Sequence, residues 1–182
     1  MNAKHPSSNR LIIVCGLPFA GKSTLGSAIC AEFGYPRVDV DQTKVDLYGP
    51  GVDDEDLDPK QWARIYRETD ERIMRLLEDG DSVVDASRNF RKDERNRARA
   101  IAERMMAEIV IIYVSTPESV VRQRWTENRK KQKRRDISDK GFEEIIRVME
   151  PPTGDEKALI FHHDDNIKSW LVEHAGHLAE KQ

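Results

Sequence analysis

The sequence predicts an α/β fold, a three-layer α/β/α sandwich built on a parallel five-stranded sheet. Two observations carry that prediction. Apolar β-type runs recur at Leu11–Cys15, Arg37–Val40, Ser82–Ala86, Ile109–Ser115 and Ala158–His162, and helical patterns fill most of the gaps. Such alternation makes each helix a crossover between parallel strands. In addition, the first gap opens with "CGLPFAGKST", in which Gly16, Gly21, Lys22 and Ser23 match G-x-x-x-x-G-K-[ST] between a strand and a helix.

In chain order, "MNAKHPSSNR" is a polar lead-in without a signal-peptide core. "LIIVC" reads as a buried strand, and "STLGSAICAEF" after the glycine loop reads as a helix. The second strand runs into "VDVDQTK", where Asp39 and Asp41, two apart on a strand, share a face. "GPGVDDEDLD", residues 49–58, combines turn residues with acidic charge and reads as a mobile loop. The longest helix follows. Asp58 caps it, Pro59 suits its first turn, Trp62, Ile65, Tyr66, Thr69, Ile73, Met74 and Leu77 keep helical spacing, and Gly80 stops it. The third strand leads into "SVVDASRN" and a basic helical stretch, "RNFRKDERNRAR". Thr116-Pro117 opens a helix after the fourth strand, "RKKQKRRD" (residues 129–136) is a basic segment between two helical patterns, and Asp165 caps a final helix.

The 182 residues suit one domain, and a net charge of −3 gives no global drive toward nucleic acid or anionic membrane. Any site for a polyanion is therefore local. The two cysteines, Cys15 and Cys30, read as small apolar side chains rather than a disulfide or metal pair. No apolar run approaches a membrane span, so a cytoplasmic protein is expected.

The glycine loop points to nucleotide chemistry. Glycines allow a tight turn whose N–H groups converge on phosphate, and the helix behind adds its positive N-terminus. The loop from Gly16 through Leu17, Pro18, Phe19, Ala20 and Gly21 is thus the expected cradle. Lys22 would reach the β- and γ-phosphates, Ser23 would hold a bridging Mg²⁺, and Thr24 would lie nearer the α-phosphate. In doubly wound sheets ligands sit at the carboxyl ends of the strands. Two acidic clusters fall there. Asp85 ends an apolar strand and is expected to serve the metal, while Asp41 is expected to take the proton of an attacking hydroxyl and Lys44 to steady the transferring group. Asp39 is the reserve for Asp41.

These residues resemble the small P-loop kinases named with the AAA-type ATPases, which are related to the polynucleotide kinase 5′-hydroxyl domain, zeta toxins and chloramphenicol phosphotransferase. The resemblance runs from Leu11 to about His162, through "GLPFAGKST", "DQTK", "VVDASRNFRKDERNRAR", "VSTPESVVRQRWTENR" and "MEPPTGDE". It implies a P-loop NTPase sheet of order 2-3-1-4-5, Asp41 as the general base, and an arginine-rich lid matching Arg122, Arg124 and Arg129. It also implies an adenine edge near "FHHDDN". Lys44 stands where polynucleotide kinases usually carry arginine, so the fork that grips a 3′-phosphate is missing. The expected activity is ATP-dependent transfer of the γ-phosphoryl to an acceptor hydroxyl, on a polynucleotide 5′ end or a small metabolite or antibiotic. A nucleotide-dependent binding module or switch is the alternative.

Overall fold

The computed structural model describes residues 9–87, 89–131 and 137–180. Most of the polar lead-in, Arg88 in the third-strand cluster and residues 132–136 of the basic segment lie outside the described residues.

The first strand, β1 (Arg10–Cys15), is buried along its whole length, as a strand covered on both faces must be. It is flanked by β3 (Val83–Asp85) and β4 (Glu108–Ser115). Outside these lie β2 (Arg37–Val38) and β5 (Leu159–His162), so the parallel sheet has the order β2-β3-β1-β4-β5. The three-layer fold and the strand order implied by the resemblance are both present.

Because side chains alternate across a strand, β1 divides the core. Ile12 and Val14 pack with Leu25 and Ile29 of α1 (Lys22–Phe33), Val121 of α5 (Glu118–Lys131), Phe142 of α6 (Asp139–Val148) and Trp170 of α7 (Ile167–Leu178). Leu11, Ile13 and Cys15 face the other way, against Ile73 and Leu77 of α3 (Pro59–Asp79) and Ala98 and Ile101 of α4 (Lys92–Arg104). Burial pushes the Cys15 thiol up to about 12, so it stays a protonated, apolar filler. Cys30 is half-buried against the first of these cores.

The α3 helix follows its sequence signals closely. Asp58 accepts from the Gln61 N–H while the Gln61 side chain accepts from the Asp58 N–H, and Gly80 ends the helix in the left-handed region, at φ 97°.

Three expectations change. The second strand stops at Val38, and Asp39 becomes the N-cap of α2 (Val40–Tyr48), so Asp39 and Asp41 belong to a helix start and not to one strand face. The cause is local, because the Asp39 carboxylate satisfies the Asp41 N–H, which a strand ending there would leave unpaired. The final helix is capped by Asn166, whose side chain accepts from the Ser169 N–H, while Asp165 instead takes the His162 N–H. Within the acidic loop, Asp54–Asp56 form a 3₁₀ turn tied down by Lys44. Among the described residues, no helix is long and apolar enough to cross a membrane.

Replacing Asp58 by Ala should remove the α3 cap and cost about 1 kcal/mol. Thermal melting should fall by about 2–4 °C at this chain length, with Asp58→Asn recovering most of it.

Candidate active site

The loop between β1 and α1 has two positions that require glycine. Gly16 has φ +142°, and a Cβ there would lie 2.8 Å from the Val114 carbonyl oxygen of β4. Gly21, at φ +117°, is the N-cap of α1 and leaves the first turn without a side-chain cap or an acidic residue. Phe19 also takes a left-handed conformation, φ 60°, which is uncommon for a bulky residue.

The carbonyls of this loop are taken up from behind. Lys22 Nζ donates to Gly16 O and Leu17 O, each at 2.9 Å. Arg124 Nη1 donates to Phe19 O at 3.2 Å and Ala20 O at 2.9 Å, and Thr116 Oγ1 donates to Ala20 O at 2.9 Å. With its oxygens held this way, the loop offers N–H groups and a helix N-terminus to an anion.

Two cavities meet at the loop, and Phe19 lines both. The first, about 400 Å³, is bounded by Gly21, Thr24, Arg124, Asn128, Phe161 and His163. Its apolar ring and polar rim at the end of β5 suit a planar base with hydrogen-bonding edges. The second, about 250 Å³, lies on the Lys22 and Ser23 side and is lined by Asp39, Asp41, Lys44, Asp54, Ser87 and Phe90, with Ile137 and Ile145 as an apolar wall. An outer groove continues from it past Arg37 and Asp53.

The acidic residues have distinct environments. Asp39 is half-buried, and burial pushes its carboxyl above the ordinary range, with the Asp41 N–H opposing and the Asp41 and Asp85 charges adding to the rise. Asp41 is exposed in the first turn of α2. Asp85 is buried and does not line either cavity. Its Oδ1 accepts from the Ser87 N–H at 2.8 Å and its Oδ2 from Asn89 Nδ2 at 3.0 Å. Lys44, also buried, donates to Asp54 Oδ1 at 2.5 Å.

The three arginines of the expected lid part company. Arg124 sits on the loop and lines the base-side cavity. Arg122 is held by Glu118 and Glu143, and Arg129 stacks on Trp125 at 4.2 Å, donates to Ile137 O and pairs with Asp139. Both tie α5 to the start of α6, and neither is among the described residues lining the two cavities. The sequence reading missed Thr116, Asn128 and Phe90. No sequence signal singled out Asn128, whose burial in α5 appears only in the structure.

The model of the AAA domain family, AAA_33, matches residues 11–152. The chain belongs to this AAA domain family. Within known proteins, a shikimate kinase of Xanthomonas axonopodis pv. citri (strain 306) is 29% identical over 118 residues, 65% of this AAA-domain chain and 62% of that protein. The chain thus spans about three-fifths of the length of the curated relatives it matches. Kti12 of Chaetomium thermophilum, solved with ADP-AlF3, superposes with a TM-score of 0.73 at 18% identity, covering 93% of this chain and 99% of that one. The Mycobacterium tuberculosis APS kinase CysC, solved with AMPPNP and APS, gives 0.64 at 15% identity over 92% and 96%. At these identities the two structures establish the fold, and the AAA-domain chain has the architecture of the small P-loop kinases.

Gly16→Ala should lower stability by about 1–3 kcal/mol through overpacking against Val114 and weaken nucleotide binding in calorimetry, whereas Gly51→Ala, with nothing within 4 Å, should be neutral in both. A buried carboxylate with a raised pKa favours folding fully below its ordinary value of 3.8, and that contribution is lost as pH rises through the folded value. Asp39→Asn, which preserves the cap, should therefore raise the melting temperature at neutral pH, and the gain should vanish below about pH 4.

Proposed function

We propose that this AAA-domain protein is an ATP-dependent phosphotransferase acting on the hydroxyl of a small molecule. The observation that carries the reading is the phosphate loop lying between two cavities, one suited to a base and the other lined by carboxylates and a lysine. A nucleotide-only module has no need of the second.

In this reading ATP is the phosphoryl donor. Its base occupies the cavity of Arg124, Asn128 and Phe161, and its phosphates lie on the loop N–H groups at the head of α1. Lys22 exchanges the Gly16 and Leu17 carbonyls for the β- and γ-phosphates, as a mobile cation on a flexible stem can. The Ser23 hydroxyl, which lines the acceptor-side cavity, would hold a nucleotide-borne Mg²⁺ as the kind of oxygen donor that hard cation takes. Asp85, buried outside that lining with its oxygens taken by the Ser87 N–H and Asn89, would act on the ion through water and charge rather than as a direct ligand. When bound, the ion supplies charge neutralisation along the phosphates. Arg124, which lines the base-side cavity and holds the Phe19 and Ala20 carbonyls, would keep the loop in shape beneath the phosphates. Asp41 accepts the acceptor's proton, and Lys44, pinned by Asp54, shapes the wall beside it. Asp39 doubles as the α2 cap, so its removal would disturb the helix as well as the chemistry.

Two features favour a small acceptor over a polynucleotide. A cavity of about 250 Å³ with an Ile137, Ile145 and Phe90 wall suits a metabolite-sized compound. The basic α4 region is also occupied internally: Arg91 pairs with Asp93, Lys92 with Asp155, Arg95 with Glu156, and Arg97 with Asp70. Such a face is poorly suited to tracking a phosphate backbone.

The test is transfer from γ-labelled ATP with Mg²⁺ to separate pools of sugars, nucleosides, amino alcohols, small antibiotics and 5′-hydroxyl DNA and RNA. Label should enter a small-molecule pool. Lys22→Ala and Asp41→Asn should each cut turnover by about 10²-fold or more, with Asp41→Asn still binding ATP. Label in the nucleic-acid pools would overturn the acceptor class, and ATP binding with no label moved would favour the switch.

A further inference from the structure

The segment "MEPPTGDE" takes no part in the chemistry above, yet it anchors the most deeply buried ion pair among the described residues. Arg95 of α4 and Glu156, just before β5, both have side chains with 0% exposure. Their contact is a fork: Nε to Oε2 at 2.7 Å and Nη2 to Oε1 at 2.9 Å. The remaining guanidinium nitrogen, Nη1, reaches the carbonyls of Asn89 and Phe90, each at 3.4 Å. Phe90 O also accepts the Glu150 N–H at 2.9 Å, and Glu156 Oε1 accepts the Thr153 N–H at 3.1 Å. One buried pair thereby fastens the β3–α4 connection to the α6–β5 connection.

The grip falls on Phe90, which faces the proposed chemistry, and on its neighbour Asn89. Asn89 holds Asp85 Oδ2, and Phe90 walls the acceptor cavity with its ring 5.3 Å from Lys22 Nζ. Stability alone does not account for the pair. Desolvating two charges offsets most of their attraction, and apolar side chains of similar volume often serve a core as well or better. What an apolar pair cannot do is donate to two backbone carbonyls while being held in plane by a carboxylate. Glu156 is held below the ordinary carboxylate range by its hydrogen bonds from Arg95, in keeping with a pair that stays ionised.

We propose that Arg95 and Glu156 are positioning residues for phosphoryl transfer, fixing Asn89 and Phe90 so that Phe90 keeps its place beside Lys22 on the acceptor cavity and Asn89 keeps its hold on the buried Asp85 carboxylate. The proposal rests on the kinase reading. It assigns the pair an effect on turnover that is separate from folding and from nucleotide affinity.

The experiment compares wild type with Arg95→Met/Glu156→Leu, using Mg·ATP and the acceptor pool that wild type labels. The double variant should melt at or above the wild-type temperature and keep its KM for ATP, while kcat falls by about 10²-fold. Amide hydrogen exchange should quicken in residues 89–91 and 150–156 and stay unchanged in β1 and α1. Should the double variant not fold, Arg95→Lys keeps the buried charge paired but loses the fork, and the same split between kcat and KM is expected. Wild-type kcat in a folded variant, or a loss of kcat only in step with the folded fraction, would overturn the proposal. Failure of both variants to fold would make the pair structural and overturn it likewise. A wild type that labels no pool would instead remove the kinase reading, and the proposal with it.

Discussion

The structure depends on one hydrogen-bonding constraint, which is that residues 16–21 must turn their carbonyls away from the place where their N–H groups converge. A tight loop meets little of this by itself: Pro18 has no N–H to offer, and the Ala20 N–H reaches Leu17 O within the turn. Side chains from outside the loop take up its carbonyls: Lys22 from the helix that follows at once, and from distant elements Thr116 at the end of β4 and Arg124 of α5. Those contacts require β4 beside β1 and α5 over the same face, which is the strand order observed. Gly16 is the steric form of the same demand, since only a residue without Cβ fits under the Val114 carbonyl.

Much of this was legible in the sequence because the signals were local. The glycine spacing, the β-type runs and the Asp58 and Gly80 punctuation of α3 each depend on residues a few positions apart, and each corresponds to an element. The strand order was not readable from periodicity and came from family resemblance. The missed features are long-range. Nothing in "VSTPES" marks Thr116 as a donor to a carbonyl 96 residues earlier, and the pairing of Arg95 with Glu156 spans 61 positions. The Asp39 and Asp41 faces were misjudged because a two-residue strand gives way at once to a capped helix, a boundary that period-2 reasoning cannot locate.

Charge density illustrates the same limit. A third of the chain is charged, and read linearly the stretch after β3 looks like a basic surface. In three dimensions four of its cations, Arg91, Lys92, Arg95 and Arg97, pair with carboxylates from α3, α4 and the approach to β5. Sequence counts charges, whereas the fold decides which of them meet, and a basic run whose partners lie on other elements has little field left to exert beyond its own surface.

Phe19 carries a consequence for how the two cavities would fill. Its left-handed backbone and its ring, tilted against Phe142 at 6.5 Å, put one residue on the boundary of both cavities. In the proposed reaction, with a ligand in each cavity, a side chain shared in this way would link the two occupancies thermodynamically. Whatever free energy the first ligand spends or gains in setting that ring is already settled when the second arrives. Linkage is reciprocal, so the factor by which one ligand changes the affinity of the other must be the same in both directions.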